Sequence, residues 1–180
     1  FFRSVTSVML TTFALSINLN SGRFDFSIGS VSLVSSVISS QICITAGLST
    51  GWMLVISLAA GILLGCVSGL VYVLIKLPPI IVSLGVALFY EGLAFAITKG
   101  YGVSFVSNLE LTSFPSVIHY LLVIIISLAL IIFLFDGTKF GYNYRALMSG
   151  QKVAVNTGIK EIPNAIACYA ITGGLMGMVG

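Results

Sequence analysis

The chain has 180 residues, of which 58% are hydrophobic and only 7% are charged, and its formal net charge is +3. Soluble domains carry about 25% charged residues, so eight Lys or Arg and five Asp or Glu are too few to cover a soluble globule of this size. The composition therefore excludes a soluble enzyme, a disordered linker and a nucleic-acid-binding protein. We expect an all-α transmembrane bundle, one domain over residues 1–180. Because the chain begins at Phe1 without a methionine and ends in a hydrophobic run, we expect that domain to be incomplete at both ends.

Six hydrophobic segments follow one another along the chain. A bilayer core about 30 Å thick needs roughly 20 apolar residues in a helix. Turn residues, prolines and charges divide the chain into pieces of about that length. The predicted segments are Phe1–Leu19, Ile28–Ala46, Trp52–Ile75, Ile80–Thr98, Ser116–Phe135 and one that begins near Ile162.

The stretch from Asp136 to Glu161 is the only sizeable polar connection between these segments. Its basic residues are Lys139, Arg145, Lys152 and Lys160. By the positive-inside rule this stretch faces the cytoplasm, which places Arg23 and Lys76 inside and leaves Lys99 outside as an exception. A short helix fits around Gln151–Asn156. The stretch either merely connects two spans or docks a partner.

Glycines recur at four-residue spacing in two of the segments. They are Gly61, Gly65 and Gly69 in the third segment and Gly173 and Gly177 in the last. Small residues at this interval fall on one helix face and let two backbones approach closely. We interpret them as helix-packing residues of a bundle, in preference to the lining of a pathway.

The segment that begins at Ile28 is rich in hydroxyl groups. Four of its serines share one helical face: Ser32, Ser35, Ser36 and Ser39. These serines either bond to neighbouring helices or line a wet route for a polar solute, and both interpretations stay open. Just before them, Arg23 and Asp25 are expected at the cytoplasmic start of the helix, where Asp25 can accept hydrogen bonds from free backbone N–H groups.

Glu91 is the one acidic residue inside an apparent span. An ionised carboxylate is costly in lipid, so Glu91 should face protein or water. It either serves as a solute or proton site, or it lies near the outer interface with Lys99 because the segment is short or tilted.

Motifs for catalysis and metal binding are absent from the sequence. There is no GxxxxGK[ST] phosphate loop, so we do not expect this chain to hydrolyse ATP. There is no HExxH and no Gly-x-Ser-x-Gly, and the three cysteines form no CxxC or Cys/His cluster. We expect no catalytic residue, no metal site and no cofactor in this chain.

Three short motifs carry a family resemblance. Asp25–Ser30 reads DFSIGS, Lys76–Gly85 reads KLPPIIVSLG, and Tyr90–Ala94 reads YEGLA. They resemble the Asp-Leu-Ser-Val-Gly-Ser signature, the Pro-initiated apolar run and the Arg-Gly-Leu-Ala of bacterial ABC transporter permeases of the ribose and monosaccharide group, which also moves branched-chain amino acids. Glu91 stands where that family usually has Arg.

A fourth motif lies in the polar stretch. Phe140–Leu147 and Gln151–Ile159 resemble the cytoplasmic coupling loop of the same family, which reads Phe-Gly-x-x-x-x-Ala, a Gly-Asn pair and Glu-x-Ala-Ala-x-x-x-Gly-Ile. Ala154, Gly158 and Ile159 match this pattern. Gln151 and Val153 depart from it.

The resemblance covers residues 19–180 and implies a permease subunit of an ABC importer in the bacterial inner membrane, in contact with lipid and not with nucleic acid. It implies a dimer with a second copy or a paralogue, an extracytoplasmic solute-binding protein, and a separate ATP-binding subunit that drives alternating access. That subunit would grip Gly141, Arg145, Ala154, Gly158 and Ile159. The neutral serine face suits a monosaccharide or similar polar solute. Alternatives are a nucleoside or branched-chain amino acid permease, or an ion-coupled secondary carrier that uses Glu91.

Overall fold

The computed structural model of the chain describes residues 1–104 and 117–180, apart from the side chains of residues 117, 151 and 152. Within that part every regular element is a helix, which confirms the all-α prediction. The helices are α1 (Phe2–Asn20), α2 (Ile28–Ala46), α3 (Thr50–Ile75), α4 (Pro79–Thr98), α5 (Val117–Gly137), α6 (Lys139–Ser149), α7 (Gln151–Asn156) and α8 (Glu161–Val179).

All six predicted segments are helical, and α2 begins and ends at the predicted residues. Ser116, the predicted start of the fifth segment, lies outside the described residues. Among the described helices, α2, α3, α4, α5 and α8 are long and apolar enough to cross a membrane. Helix α1 is also 19 residues long, but its hydroxyl and amide side chains make it more polar. The short helix at Gln151–Asn156 is confirmed as α7, whereas α6 was not predicted.

Local sequence explains where the spans begin and end. Pro79 is the first residue of α4, where its missing N–H removes no helical hydrogen bond. Helix α2 ends at Gly47 in the left-handed conformation, with φ of 62°. Helices α3 and α4 end in the same conformation at Lys76 and Lys99, with φ of 55° and 50°. For a residue with a Cβ this conformation costs roughly 1–2 kcal/mol.

Helices α3 and α8 form the antiparallel centre of the bundle. A Cβ on Gly61 would lie 2.8 Å from the Cα of Gly177, and a Cβ on Gly173 would lie 2.8 Å from the Cα of Gly65. Ser57 Oγ adds a 2.5 Å hydrogen bond to the carbonyl oxygen of Gly177. The two backbones therefore touch along the glycines, where no larger side chain fits without a shift of the main chain.

The other helices surround this pair. Helix α2 packs on α3, α4 and α8, α1 packs on α8 and α5, and α6 lies against α5. The buried core includes Leu10, Ala14, Ile17, Val31, Val34, Tyr90, Leu175 and Met176. Most of α5 stays exposed. Because most of its exposed residues are Ile, Leu and Phe, this surface suits lipid or another protein chain.

Candidate functional site

The connection between α1 and α2, residues 21–27, buries the side chains of Arg23, Asp25 and Ser27; we call it the α1–α2 junction. The carbonyl oxygen of Phe24 accepts a 3.4 Å hydrogen bond from Ser83 Oγ, four residues inside α4. Arg23 is only 4% exposed and Asp25 only 6%. Sequence reasoning placed both at the start of α2, which is correct, but it missed their burial.

Asp25 is the centre of a polar cluster in this junction. Its Oδ1 accepts hydrogen bonds from the backbone N–H of Ser27 at 2.8 Å and from Ser27 Oγ at 2.7 Å. Its Oδ2 accepts a 3.1 Å bond from Asn18 Nδ2, and that amide also lies 3.4 Å from Thr172 Oγ1 in α8. Asp25 therefore accepts a hydrogen bond from a free backbone N–H at the start of α2, that of Ser27, as predicted. Through Asn18 it also links α1 to α2.

Arg23 lies beside this cluster. Its Nη2 is 3.7 Å from Oε1 of Glu161, the first residue of α8. Its guanidinium carbon is 5.9 Å from the ring centroid of Tyr72. A buried cation is costly unless it is paired, so these two groups stabilise the position of Arg23.

A cavity of about 610 Å³ opens at the end of the bundle where α1 and α3 begin and α2 and α8 end. Its hydroxyl lining consists of Thr6, Ser7, Ser36, Ser39, Ser40, Ser57 and Tyr120. Of the serines singled out in the sequence, Ser36 and Ser39 line the cavity, Ser35 is fully buried and Ser32 is partly buried. The hydroxyls from α1 and α3 were missed because nothing local in the sequence brings those helices next to α2.

These hydroxyls are only weakly available to a solute. Ser36 Oγ donates to the carbonyl of Leu33 at 2.8 Å, and Ser39 Oγ donates to that of Ser36 at 3.0 Å. Each hydroxyl keeps acceptor lone pairs after it has donated its proton. The described lining is therefore mostly neutral and weakly polar, and it includes one charged side chain, that of Arg3.

Glu91 does not line this cavity. It lies on α4, twelve residues after Pro79 and seven before Thr98, which is about 18 Å and about 10 Å along the helix axis. Its Oε1 accepts a 3.1 Å hydrogen bond from Ser30 Oγ in α2. Its side chain is nevertheless exposed. Ser36 and Ser39, two of the predicted pathway serines, line the cavity, whereas Glu91, another predicted pathway residue, lies away from it.

Helices α6 and α7 fill most of the polar stretch, at the opposite end of the bundle from the cavity; we call residues 139–159 the α6–α7 loop. Helix α6 buries Gly141, Tyr144 and Leu147, which share one face. A Cβ on Gly141 would lie 2.6 Å from the Cα of Phe135, so only glycine fits there. Arg145 bonds to the carboxylate of Asp136 and to the carbonyl of Phe135.

The predicted docking residues Ala154, Gly158 and Ile159 lie at the end of α7 and in the turn that follows it. Ala154 is buried, and its carbonyl accepts a 3.1 Å hydrogen bond from the backbone N–H of Ile159. Gly158 has a φ of +91°, a conformation that favours glycine. The side chain of Gln151 lies outside the described part.

Tyr144 anchors α6 to the bundle. Its hydroxyl donates a 2.8 Å hydrogen bond to the carbonyl of Ile17 near the end of α1. Burial raises the pKa of Tyr144 to about 12, so the hydroxyl keeps its proton at physiological pH. Sequence reasoning missed this residue, which carries no motif.

Comparison with known proteins agrees with this arrangement. The chain is 27% identical over 190 residues to the fructose import permease protein FruF of Bifidobacterium longum (strain NCC 2705), covering 98% of this chain and 51% of that protein. It spans about half the length of this curated relative. No solved structure gives a significant match. A family model described as "Branched-chain amino acid transport system / permease component" matches residues 2–180. The resemblance seen in the sequence is therefore confirmed: the chain belongs to this family of permease components and is a multi-pass protein of the bacterial inner membrane.

Proposed function

We propose that this chain is part of the membrane-spanning subunit of an ABC importer, which moves a monosaccharide or similar neutral polar solute by alternating access. ATP hydrolysis takes place in a separate subunit. The observation that carries the proposal is the position of the α6–α7 loop, which lies outside the spans at the end of the bundle opposite the hydroxyl-lined cavity.

The exposed surface of the α6–α7 loop supports docking of a partner. Its large apolar side chains that face outward are Tyr142, Met148, Val153 and Val155. Apolar residues exposed outside a membrane span favour contact with another protein. We assign this surface to the ATP-binding subunit, with Gly141, Arg145, Ala154, Gly158 and Ile159 giving the loop its shape.

The cavity supports a neutral solute. Among the described residues, its lining combines apolar groups with the hydroxyls of Ser36, Ser39 and their neighbours, and its one charged side chain is that of Arg3. Hydroxyl acceptors bind a sugar weakly, which allows release to the other side. The fructose import permease among the relatives points to the same solute class. An extracytoplasmic binding protein would then supply most of the selectivity.

The close pair of α3 and α8 supports movement of the bundle in rigid parts. Backbones that touch at Gly61, Gly65 and Gly173 cannot slide without collision. Tightly packed helices respond to an applied force by rotating together. The other half of the pathway would come from a second permease copy or a paralogue.

Co-purification tests the proposal. The full-length protein would be extracted in mild detergent with residues 141–159 either native or scrambled. A Val153→Glu variant would be compared with Tyr101→Glu, an exposed position outside the spans and away from the α6–α7 loop. We expect an ATP-binding subunit to co-elute with the native protein and to be lost from the scrambled and Val153→Glu forms. Absence of any ATP-binding subunit from the native preparation would contradict the proposal.

A second candidate, an ion-coupled carrier, draws on the mid-helix position of Glu91. A carrier needs an intramembrane charge for coupling. Uptake that survives ATP depletion but is abolished by Glu91→Gln would favour the carrier. Uptake that stops on ATP depletion and survives Glu91→Gln would favour the importer.

A further inference from the structure

Two contacts attach the α1–α2 region to the predicted cytoplasmic end of the bundle, one at α6 within the α6–α7 loop and one at the start of α8, just after it. Tyr144 of α6 donates a 2.8 Å hydrogen bond to the carbonyl of Ile17 in α1. Glu161, which opens α8 directly after the loop, lies 3.7 Å from Arg23 in the α1–α2 junction. Asn164 Nδ2 also lies 3.4 Å from the carbonyl of Phe140, which ties the start of α8 to α6.

Arg23 gives the second contact its strength. Its side chain is 5% exposed, and that of Glu161 is 33% exposed. A charge this deeply buried is stable only beside a counter-charge, so withdrawal of Glu161 would strand Arg23. The ring of Tyr72 and the thiol of Cys168 also lie beside the guanidinium, and both are weaker partners than a carboxylate. Because separating the two charges is costly, the junction should move together with the start of α8.

The junction leads onward to α4. Asp25 bonds Ser27 at the start of α2. One turn later, Ser30 donates to Glu91 on α4 at 3.1 Å. Polar contacts join Glu161 to Arg23, Asp25 to Ser27 and Ser30 to Glu91. The main chain of the junction and the first turn of α2 connects these three contacts, so they form one route from the start of α8 to the middle of α4.

We propose that Arg23 and Glu161 are positioning residues, which make the α1–α2 junction and the α6–α7 loop move as one body. Motion imposed on the loop then reaches Asp25 and, through Ser30, the middle of α4. This inference rests on the proposed function, because it assigns the route by which ATP-driven motion enters the bundle.

A double-mutant cycle tests the pair. The full-length protein would be assembled in lipid nanodiscs with its ATP-binding subunit and binding protein. The variants are Arg23→Met, Glu161→Gln and the double change. Lys160→Gln is the control, because it removes a neighbouring exposed charge. The readout is the ratio of ATP hydrolysis with fructose-loaded binding protein to basal hydrolysis. A purely structural role would change the yield of complex without changing this ratio.

We expect each single change to lower the ratio about tenfold, and the double change to lower it no further, because both remove one interaction. Lys160→Gln should keep the wild-type ratio. Single variants with the wild-type ratio would overturn the inference, and so would losses that multiply in the double variant. A native complex that lacks an ATP-binding subunit would instead refute the proposed function.

A distance measurement keeps the inference testable if Glu161→Gln does not assemble. Spin labels at Phe24→Cys in the junction and Tyr142→Cys in α6, both at exposed positions, would be placed in a cysteine-free background that is otherwise native. One body requires the same label-to-label distance with and without ATP. A distance that changes with nucleotide would overturn the inference.

Discussion

The hydroxyl of Tyr144 donates a hydrogen bond to the carbonyl of Ile17, which lies 127 positions earlier in the chain. Ile17 is in the last turn of α1, where backbone carbonyls have no partner within the helix. One side chain of the loop between α5 and α8 thus completes the end of α1. The loop is thereby fastened to the bundle and cannot swing as a free connection.

Replacement of Tyr144 by Phe should destabilise the protein by about 1–3 kcal/mol, because it leaves the Ile17 carbonyl buried without a donor. Thermal unfolding in detergent measures the change. Tyr142→Phe on the exposed face of α6 is the matched control and should unfold like the wild type. Equal stability of Tyr144→Phe and the wild type would show that the bond contributes nothing.

The same tyrosine should make stability sensitive to high pH. Its pKa is raised from 10.0 to about 12 in the folded chain, so the unfolded chain loses the phenolic proton first. This contribution is fully present below pH 10 and is lost as pH rises from 10 to 12. The wild type should therefore lose stability faster than Tyr144→Phe over this range. If the stability of the two proteins falls equally between pH 10 and 12, this account is contradicted.

Gly65→Ala should loosen the centre of the bundle. The new Cβ would collide with the backbone of Tyr169 and lie 3.1 Å from the Cα of Gly173. Overpacking of this kind costs about 1–3 kcal/mol. Gly85→Ala on α4 is the control, since a Cβ there meets nothing within 4 Å. If Gly65→Ala and Gly85→Ala unfold at the same temperature, the close contact of α3 and α8 does not contribute to stability.

Ser36→Phe should obstruct the hydroxyl-lined cavity. Ser36 is a partly exposed residue of its lining, and a phenyl ring would occupy much of the space between α2 and α3. We expect uptake of radiolabelled fructose into membrane vesicles to fall while the protein still inserts. Ile42→Phe, at an exposed site outside the cavity lining on the same helix, should transport normally. Unimpaired uptake by Ser36→Phe would remove the cavity from the pathway.

Glu91 should face water in the assembled transporter, because an ionised carboxylate in the middle of a span is costly against lipid. Glu91→Cys is expected to react with a membrane-impermeant thiol reagent in intact vesicles. Ile126→Cys, on the exposed apolar surface of α5, should stay unreacted since that surface suits lipid. If Glu91→Cys also resists the reagent, α4 is covered by protein at this point and does not border the pathway.

Local chemistry by itself determined the membrane class, the positions of the six long helices and α7. Long apolar runs, turn glycines and Pro79 act over a few residues, so they can be read directly from the chain. The motif around Asp25 and the coupling-loop pattern were sufficient to place the chain in its family. Helix α6 was not predicted, because its buried face is short and its mean hydropathy is low.

Only the tertiary structure decided which groups meet. It paired Arg23 with Glu161 and Tyr144 with Ile17, and it separated Glu91 from the serine-lined cavity. The spacing of Gly61 and Gly65 indicates a close helix neighbour, but the identity of that neighbour as α8 comes from the fold. Each of these contacts joins residues far apart in the chain, and they form because buried charges and backbone carbonyls need partners that no neighbouring residue supplies.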